Sequence, residues 1–231
     1  MRLLLIAADP MEYAGVLSHA RGVRPVSLGI RWARSADVGG QDALLAANGV
    51  GAGHAAAAVD AAAAHHRPQA VVGTGYCGAL DESLHIAGVV VGDRVMGGGT
   101  AYPALPVASA AAFRRGAVCS VDRVVRTAAE KRELGSAGAC AVEMEAYGVA
   151  ARAAALGLPF YCIKAVTDLA REDMANDFNA ALRPDGHFDT ISILGRALRR
   201  PTVRLPELLR LRSRCILAAR ALGEFFADCR F

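Results

Sequence analysis

Asp168 is the acidic residue whose position in the chain most directly indicates chemistry. It ends the apolar run FYCIKAVTD, residues 160–168, which has the composition of a buried strand. In sheets whose strands alternate with helices, ligands bind at the carboxyl ends of the strands. We therefore consider two roles for Asp168: facing a bound ligand, or capping the segment that follows it.

Two more carboxylates, Glu143 and Glu145, flank Met144 where a short apolar strand meets a helix. Acidic residues at a helix N-terminus are stabilised by the helix dipole, so capping is one explanation. The other is that a carboxylate accepts hydrogen bonds from two neighbouring hydroxyls, which suits the diol of a ribose. Because side chains alternate along a strand, we expect at most one of the two carboxylates to face the site.

Two segments are rich in glycine, NGVGAG at residues 48–53 and GTGYCGAL at residues 73–80. The first is not the GxGxxG pattern of a dinucleotide-binding loop, and no acidic residue ends the next strand, so a Rossmann cofactor site is not expected. No GxxxxGK(S/T) phosphate loop and no GxSxG nucleophile elbow occurs. We expect these glycines to let the backbone approach a ligand or a neighbouring strand.

The composition indicates a globular chain. Of its 231 residues, 54% are hydrophobic and 21% are charged, and no apolar run has the length of a transmembrane helix. The length predicts a single domain over residues 1–231. The six scattered cysteines lack metal-site spacing, which predicts reduced thiols in a cytoplasmic protein. A net charge of +4 without a recognition motif gives no support for nucleic-acid binding.

Apolar runs and turn residues predict the elements that position these groups. Strands are expected at residues 2–7, 26–38 (a pair with a turn near Gly29), 42–47, 70–74, 89–96, 117–121, 139–142 and 160–166. Helices are expected at residues 10–19, 54–66, 127–135, 145–156, 189–198 and 206–227, and residues 97–116 should be irregular. Strand, helix and strand over residues 42–74 indicate a βαβ unit with parallel strands.

Four regions, in the same order along the chain, resemble the nucleoside phosphorylase/nucleosidase superfamily, which includes the methylthioadenosine/S-adenosylhomocysteine nucleosidases. They are residues 6–12, residues 48–58 (similar to SGIGKVNAA), residues 73–80 (similar to NTGSAGGL), and residues 141–150 with 164–170 (similar to AVEMEAAAIA and RAISDxA). The VEMEA segment followed by a strand ending in TD is the specific part. The resemblance implies a three-layer α/β/α sandwich with a central mixed, largely parallel sheet.

The resemblance also implies roles in cleaving the N-glycosidic bond of a purine nucleoside, with adenine as the expected base. Asp168 would be the general acid that protonates N7 of the departing purine, and Glu12 would orient or deprotonate an attacking water. Glu145 would bind the ribose hydroxyls. The other implied substrate-binding residues are Met144 and Glu143 beside the sugar, Gly75, Tyr76, Cys77 and Gly78 on the nucleophile and sugar side, and Val124 and Val125 around the base. No metal or organic cofactor is implied.

This chemistry agrees with the residue types. Breaking a ribosyl–purine bond builds positive charge on the sugar and negative charge on the base. A carboxylate stabilises the first charge, and a general acid neutralises the second, which typically accelerates a reaction ~10²–10⁴-fold. An aspartate that acts as an acid at neutral pH needs a pKa raised by burial or by a neighbouring carboxylate.

The chain departs from the nucleosidases at residues 97–141, where they have a much longer stretch. This shortened stretch, together with TAAEKREL at 127–134 and RPTVRLPELLRLRSRC at 200–215, looks like the hopanoid-associated phosphorylase branch. That resemblance implies removal of adenine from adenosylhopane. Phosphate-dependent cleavage is therefore an alternative, with Arg24, Arg31 and Arg34, along with the turn at residues 73–78, as candidate phosphate ligands. The turn at 73–80 contains no arginine, which favours hydrolysis.

Further alternatives concern turnover and partners. A catalytically inactive nucleoside-binding protein is the second alternative to a hydrolase. A homo-oligomer is expected, because relatives are commonly dimers or larger. The arginine-rich helix near the end is expected to pack on the core, with peripheral contact to an anionic membrane as the alternative.

Overall fold

The computed structural model describes residues 1–231 and contains eleven strands and six α-helices. The strands are β1 (Arg2–Ala7), β2 (Arg21–Pro25), β3 (Trp32–Val38), β4 (Gln41–Ala47), β5 (Ala70–Gly73), β6 (Tyr76–Ala79), β7 (Val89–Gly97), β8 (Thr100–Pro103), β9 (Arg114–Ser120), β10 (Ala139–Glu143) and β11 (Phe160–Asp168). The helices are α1 (Ala14–His19), α2 (Ala52–His66), α3 (Ala128–Ser136), α4 (Ala146–Ala155), α5 (Thr190–Ala197) and α6 (Pro201–Asp228). Short 3₁₀ turns lie at Pro10–Tyr13 and Asn179–Ala181.

All eleven strands join one sheet in the order β2-β3-β4-β1-β5-β11-β6-β10-β9-β7-β8. Its central strands β4, β1, β5, β11 and β6 run parallel, and the strands at both ends pair antiparallel. Strand β11 also pairs antiparallel with β7, which closes one half of the sheet on itself. The predicted mixed sheet is confirmed, whereas the closure was not predicted.

Helices cover both faces of the sheet and complete the predicted three layers. Helices α2 and α4 lie on one face, where they pack through buried alanines such as Ala58 and Ala150. A side chain at Gly148 would overlap the carbonyl oxygen of Ala52, so the glycine permits this close approach of the two helices. Helices α1 and α6 cover the other face, where Phe225 and Phe226 are fully buried.

Several predicted elements need correction. The first strand of the hairpin is β2 and does not start at Val26. Val26, Leu28 and Ile30 pack against the core from a loop, which explains their apolar pattern. Every residue of β2 is exposed, so its sequence gives no apolar signal. The glycine-rich segment 73–80 contains β6, and the region expected to be irregular contains β8. Strands β4 and β5 are parallel but are separated by β1, which lies between them.

Helix α6 begins at Pro201, five residues before the predicted start, and continues through Pro206. Its C-terminal half packs in the core as predicted, through Leu222 and the two phenylalanines. Leu209, Ile216 and Leu217 of the same helix are exposed. None of the helices combines the length and apolar composition needed to span a bilayer.

Candidate active site

A cavity of about 520 Å³ lies where β1, β4 and β11 end. The predicted site residues that line it are Glu12, Tyr76, Cys77, Gly78, Val124, Val125, Glu143, Met144, Glu145 and Asp168. Gly75 lies behind the wall, with φ +110°, and a Cβ atom there would stand 2.8 Å from both carboxylate oxygens of Glu12. The sequence therefore located one shared cavity, although it could not assign the orientation of each side chain.

Glu12 is held in place by backbone donors. Its Oε2 accepts hydrogen bonds from the N–H groups of Ala8 at 2.8 Å and Asp9 at 3.1 Å, and its Oε1 accepts from Tyr76 at 3.0 Å. Burial raises the pKa of Glu12, while the nearby Lys164 ammonium and these backbone donors act in the opposite direction. The result is a fixed carboxylate that can accept a proton.

Glu143 is the carboxylate that caps a helix. Its Oε2 accepts from the backbone N–H groups of Glu145 at 3.1 Å and Ala146 at 2.8 Å, at the start of α4. The same oxygen lies 2.7 Å from the ammonium of Lys164, and Oε1 accepts from the Ser120 hydroxyl. Both oxygens of Glu143 are therefore engaged by the protein itself.

Glu145 makes no capping hydrogen bond, although it occupies the N-cap position of α4. Its Oε1 accepts from the backbone N–H of Gly51 at 2.9 Å. Burial and then the charge of Glu143 raise the pKa of Glu145 to about 7, against the opposing effect of Lys164. Side-chain alternation predicted that only one of these glutamates faces the site, but both line the cavity, because β10 ends at Glu143 and the chain then turns into α4.

Asp168 ends β11 at a register shift in its pairing with β6. It accepts no backbone N–H, so its carboxylate does not cap the following segment; its partners are the Lys131 ammonium and the Thr167 hydroxyl. A Cβ atom at Gly78 would stand 2.8 Å from Asp168 Oδ1, so the glycine leaves room for this carboxylate. The sequence analysis expected burial or a neighbouring carboxylate. Asp168 is indeed buried, and a buried ammonium rather than a second carboxylate is its charged partner.

The remaining wall comes from the chain that follows β11, which the sequence did not assign to the site. Its apolar lining residues are Met174, Phe178, Phe188, Ile193, Leu211 and Cys215. Phe178 and Phe188 pack edge to face with ring centres 6.0 Å apart. The side chain of Asn179 donates to the carbonyl of Val124 at 2.9 Å and accepts from its N–H at 2.7 Å, which joins this wall to the predicted base side.

Lys131 and Lys164 are the two site-associated residues that the sequence did not reveal directly. Lys164 sits within an apolar strand, where a lysine must be buried and paired, so its position did carry a signal. Lys131 sits in a polar helix, whose sequence does not tell which face is buried. They are the only two lysines in the chain, among 26 basic residues, and both are fully buried beside site carboxylates.

The three arginines considered as phosphate ligands lie elsewhere. Arg31 pairs with Asp185 at 3.3 Å, Arg34 lies over the ring of Trp32 at 5.3 Å, and Arg24 belongs to the exposed β2. None of them lines the cavity, whose single arginine is Arg123. No group of three or more His, Cys, Asp or Glu side chains in residues 1–231 is placed to hold a metal ion.

Comparison with known proteins finds similar sequences and similar folds. A 5′-methylthioadenosine/S-adenosylhomocysteine nucleosidase of Staphylococcus aureus (strain JH9) is 26% identical over 171 residues, which cover 62% of this chain and 75% of the relative. The nucleosidase of that name from Neisseria meningitidis, solved in complex with methylthio-immucillin-A, has a TM-score of 0.70 and 21% identity over 98% of both chains. Futalosine hydrolase of Helicobacter pylori strain 26695 has a TM-score of 0.69 and 16% identity, covering 96% of this chain and 95% of that one.

The structural likeness at these identities establishes a shared fold. Membership follows from a family model, described as Phosphorylase superfamily, that matches residues 2–113 and 105–186. The matched residues include Glu12, Glu145 and Asp168, the three carboxylates that line the cavity. The chain belongs to the phosphorylase superfamily.

Proposed function

We propose that this protein hydrolyses the N-glycosidic bond of a purine nucleoside, with adenine as the released base. The observation that carries the proposal is the convergence of Glu12, Glu145 and Asp168 on one cavity from three separate parts of the chain. The names of the curated relatives and structural neighbours, nucleosidases and a hydrolase, support the same chemistry.

Glu145 binds the ribose in this proposal. Its Oε1 accepts a single backbone hydrogen bond, so the carboxylate keeps accepting capacity for the two hydroxyls of a ribose diol. Met144 lines the cavity beside it and packs against the sugar. Glu143 does not share this task, because its oxygens already bind Lys164, Ser120 and the start of α4.

Glu12 and Asp168 act at the two ends of the bond that breaks. Water attacks the anomeric carbon and gives its proton to Glu12, while the electron pair of the breaking bond moves to the purine, which takes up a proton at N7 through Asp168. Gly75 lies against Glu12 and Gly78 against Asp168. Gly75 and Gly78 are three residues apart, so their α-carbons lie within about 11 Å of each other, and both carboxylates line the same cavity.

Hydrolysis is favoured over phosphorolysis by the charge of the cavity. A phosphate ion needs cationic or amide donors, and the candidate arginines Arg24, Arg31 and Arg34 do not line the cavity. The candidate turn at residues 73–78 does reach the cavity, but its Tyr76 N–H already binds Glu12. Its one arginine, Arg123, is bound to Glu130 at 3.0 Å. Two buried carboxylates, Glu12 and Glu145, would in addition repel an anion.

The wall formed by Met174, Phe178, Phe188, Ile193 and Leu211 supports an apolar substituent at the 5′ position of the nucleoside. An adenosylhopane-type substrate, as the resemblance to the hopanoid-associated branch implies, is the extreme case of this class. A cytoplasmic location and a homo-oligomeric state stay predictions from the sequence.

The test is a panel of adenosine derivatives with 5′-hydroxyl, 5′-methylthio and longer 5′-alkylthio groups, with free adenine detected by chromatography. We expect equal rates with and without phosphate, and kcat/KM that rises with the apolar size of the 5′ group. A strict phosphate requirement would establish a phosphorylase instead. Nucleoside binding without release of base from any derivative would establish a binding protein.

A further inference from the structure

Lys131 is buried in an unusual way for a residue of a polar helix. It is 0% exposed, and its ammonium bonds Asp168 Oδ1, the Leu169 carbonyl at 2.7 Å and the Glu172 carbonyl at 3.5 Å. It does not line the cavity, so it would meet a substrate only through Asp168. A buried ammonium must be paired, and the one charged partner of Lys131 is Asp168, the proposed general acid.

The choice of lysine at this position is informative. The chain has 26 basic residues, and 24 of them are arginine. Arginine forms carboxylate pairs at least as well as lysine, but its guanidinium does not release a proton, whereas a lysine ammonium can. The cation beside Asp168 is thus one of the two among these basic residues that can release a proton.

The surroundings of the pair contain no other obvious proton donor. The ionisable groups around it are Cys77 on β6, Glu172 and Asp173 after β11, and Glu207, Arg210, Arg214 and Cys215 on α6. Glu207 accepts hydrogen bonds from the backbone N–H groups of Ala175 and Asn176. Glu172 is bound by Arg214 at 2.6 and 2.8 Å, so these two charges offset each other. Burial raises the pKa of Cys215 to about 12, and that of Cys77 also rises, which keeps both thiols uncharged.

We propose that Lys131 is a positioning residue that supplies the proton which Asp168 delivers to the purine. This inference rests on the proposed function. Lys131 Nζ donates a hydrogen bond to Asp168 Oδ1, so the proton to be transferred already lies between the two groups. As the base departs, an Nζ–H bond of Lys131 breaks and an O–H bond forms on Asp168; that O–H bond then breaks as the N7–H bond forms.

The charges balance in this sequence. The ammonium becomes a neutral amine, the carboxylate of Asp168 is regenerated, and the purine leaves as a neutral base. After release, a proton from water in the emptied cavity returns to Lys131 through Asp168. The proton that Glu12 took from the attacking water goes back to solvent, so one turnover consumes one water and no net proton.

The test compares Lys131→Gln and Lys131→Arg with the wild type, using kcat for base release from pH 5 to 10 and KM for the same nucleoside. We expect Lys131→Gln to lose about 100-fold in kcat at pH 8 with a change in KM of no more than a few-fold, in line with loss of general acid catalysis. Its activity should recover towards pH 5, because the higher proton concentration in solution then replaces the donor that the variant lacks.

Lys131→Arg is the matched control, because it keeps the positive charge beside Asp168 and cannot release a proton. We expect its kcat to stay low across the whole range. Wild-type kcat and pH profile in Lys131→Arg, or a pH-independent loss in Lys131→Gln, would show that Lys131 only maintains the structure and would overturn the relay. A wild-type protein that releases no base would contradict the proposed function itself. This outcome differs from failure of the relay alone, in which the wild type is active.

Discussion

Lys164 Nζ lies 2.7 Å from Glu143 Oε2, and the two side chains are 1% and 2% exposed. The same ammonium donates to the Thr74 carbonyl at 2.8 Å, so it joins β11, β10 and the turn after β5 at the floor of the cavity. Burial alone lowers the pKa of Lys164, but Glu143 and Glu145 outweigh that effect and raise it overall. Lys164 therefore keeps its positive charge at any physiological pH. This charge offsets the repulsion among Glu12, Glu143 and Glu145, which lie close together.

Lys164→Met should strongly destabilise the protein. It leaves the buried Glu143 carboxylate without its counter-charge, and breaking one half of a buried pair costs about 3–5 kcal/mol. The free energy of unfolding from urea titration measures the loss. We expect Lys164→Met/Glu143→Gln to recover part of it, because the double variant removes both charges; a double variant less stable than the single one would contradict this account.

Asp168→Asn should abolish base release, by about 10²–10⁴-fold in kcat, while nucleoside binding is largely retained. An amide keeps the shape of the carboxyl group but does not pass a proton to N7. It also leaves Lys131 without its anion, so folding must be verified by thermal denaturation before rates are compared. Asp122→Asn, at an exposed aspartate outside the cavity, is the control and should match the wild type.

Glu145→Gln should stabilise the folded protein at alkaline pH. The pKa of Glu145 rises from 4.5 to about 7 on folding, so its contribution to stability is full below 4.5 and is lost as the pH rises through 7. One pKa unit corresponds to about 1.4 kcal/mol, so the rise in the pKa of Glu145 corresponds to a loss of about 3 kcal/mol of unfolding free energy at alkaline pH. Glutamine keeps an oxygen for the Gly51 N–H and carries no charge.

Unfolding free energies at pH 5 and pH 8.5 check this prediction. We expect the advantage of Glu145→Gln over wild type to be larger at pH 8.5, and Glu133→Gln, at an exposed position on α3, to show no such dependence. An advantage that is equal at the two pH values would mean that the charge of Glu145 does not oppose folding.

Gly78→Ala should reduce base release by at least tenfold. The added Cβ would stand 2.8 Å from Asp168 Oδ1 and 3.2 Å from Oδ2, so the carboxylate must shift, and displacements of about 1 Å can cost about 100-fold. Gly53→Ala is the matched control, because no atom lies within 4 Å of its Cβ and its φ is ordinary for a helix. Steady-state rates that are equal for both variants would show that Asp168 tolerates displacement.

The sequence predicted the acidic site because strand ends and strand-to-helix junctions are readable from apolar patterns. Asp168 and Glu145 stand at such positions. The helix predicted from residue 127 is α3, which begins at Ala128 after a capping box formed by Thr127 and Glu130. It did not predict the fully exposed β2, which has no apolar side to detect. Nor did it predict the pairing of β11 with β7, because closure depends on twist accumulated over many strands.

The partners of the carboxylates were harder to predict than the carboxylates. Lys131 lies 37 residues from Asp168, and nothing in TAAEKREL shows that the lysine faces inward while its neighbours Arg132 and Glu133 face solvent. In the apolar wall, Met174, Phe178 and Phe188 come from the segment between β11 and α5, which has no regular periodicity, and Ile193, Leu211 and Cys215 come from α5 and α6. Such contacts depend on how helices and loops are placed on the sheet, which local patterns do not encode.

The burial of both lysines also determines how the native surface reacts. Residues 1–231 expose no lysine side chain, so amine-directed crosslinkers and labels find no ε-amino group on the folded protein, and a lysine-specific protease has no accessible cleavage site. Both scissile positions, after Lys131 and after Lys164, become available only when the packing around the two ion pairs opens. Cleavage into three fragments would therefore report the local opening of α3 and of β11, the two elements that contain these lysines.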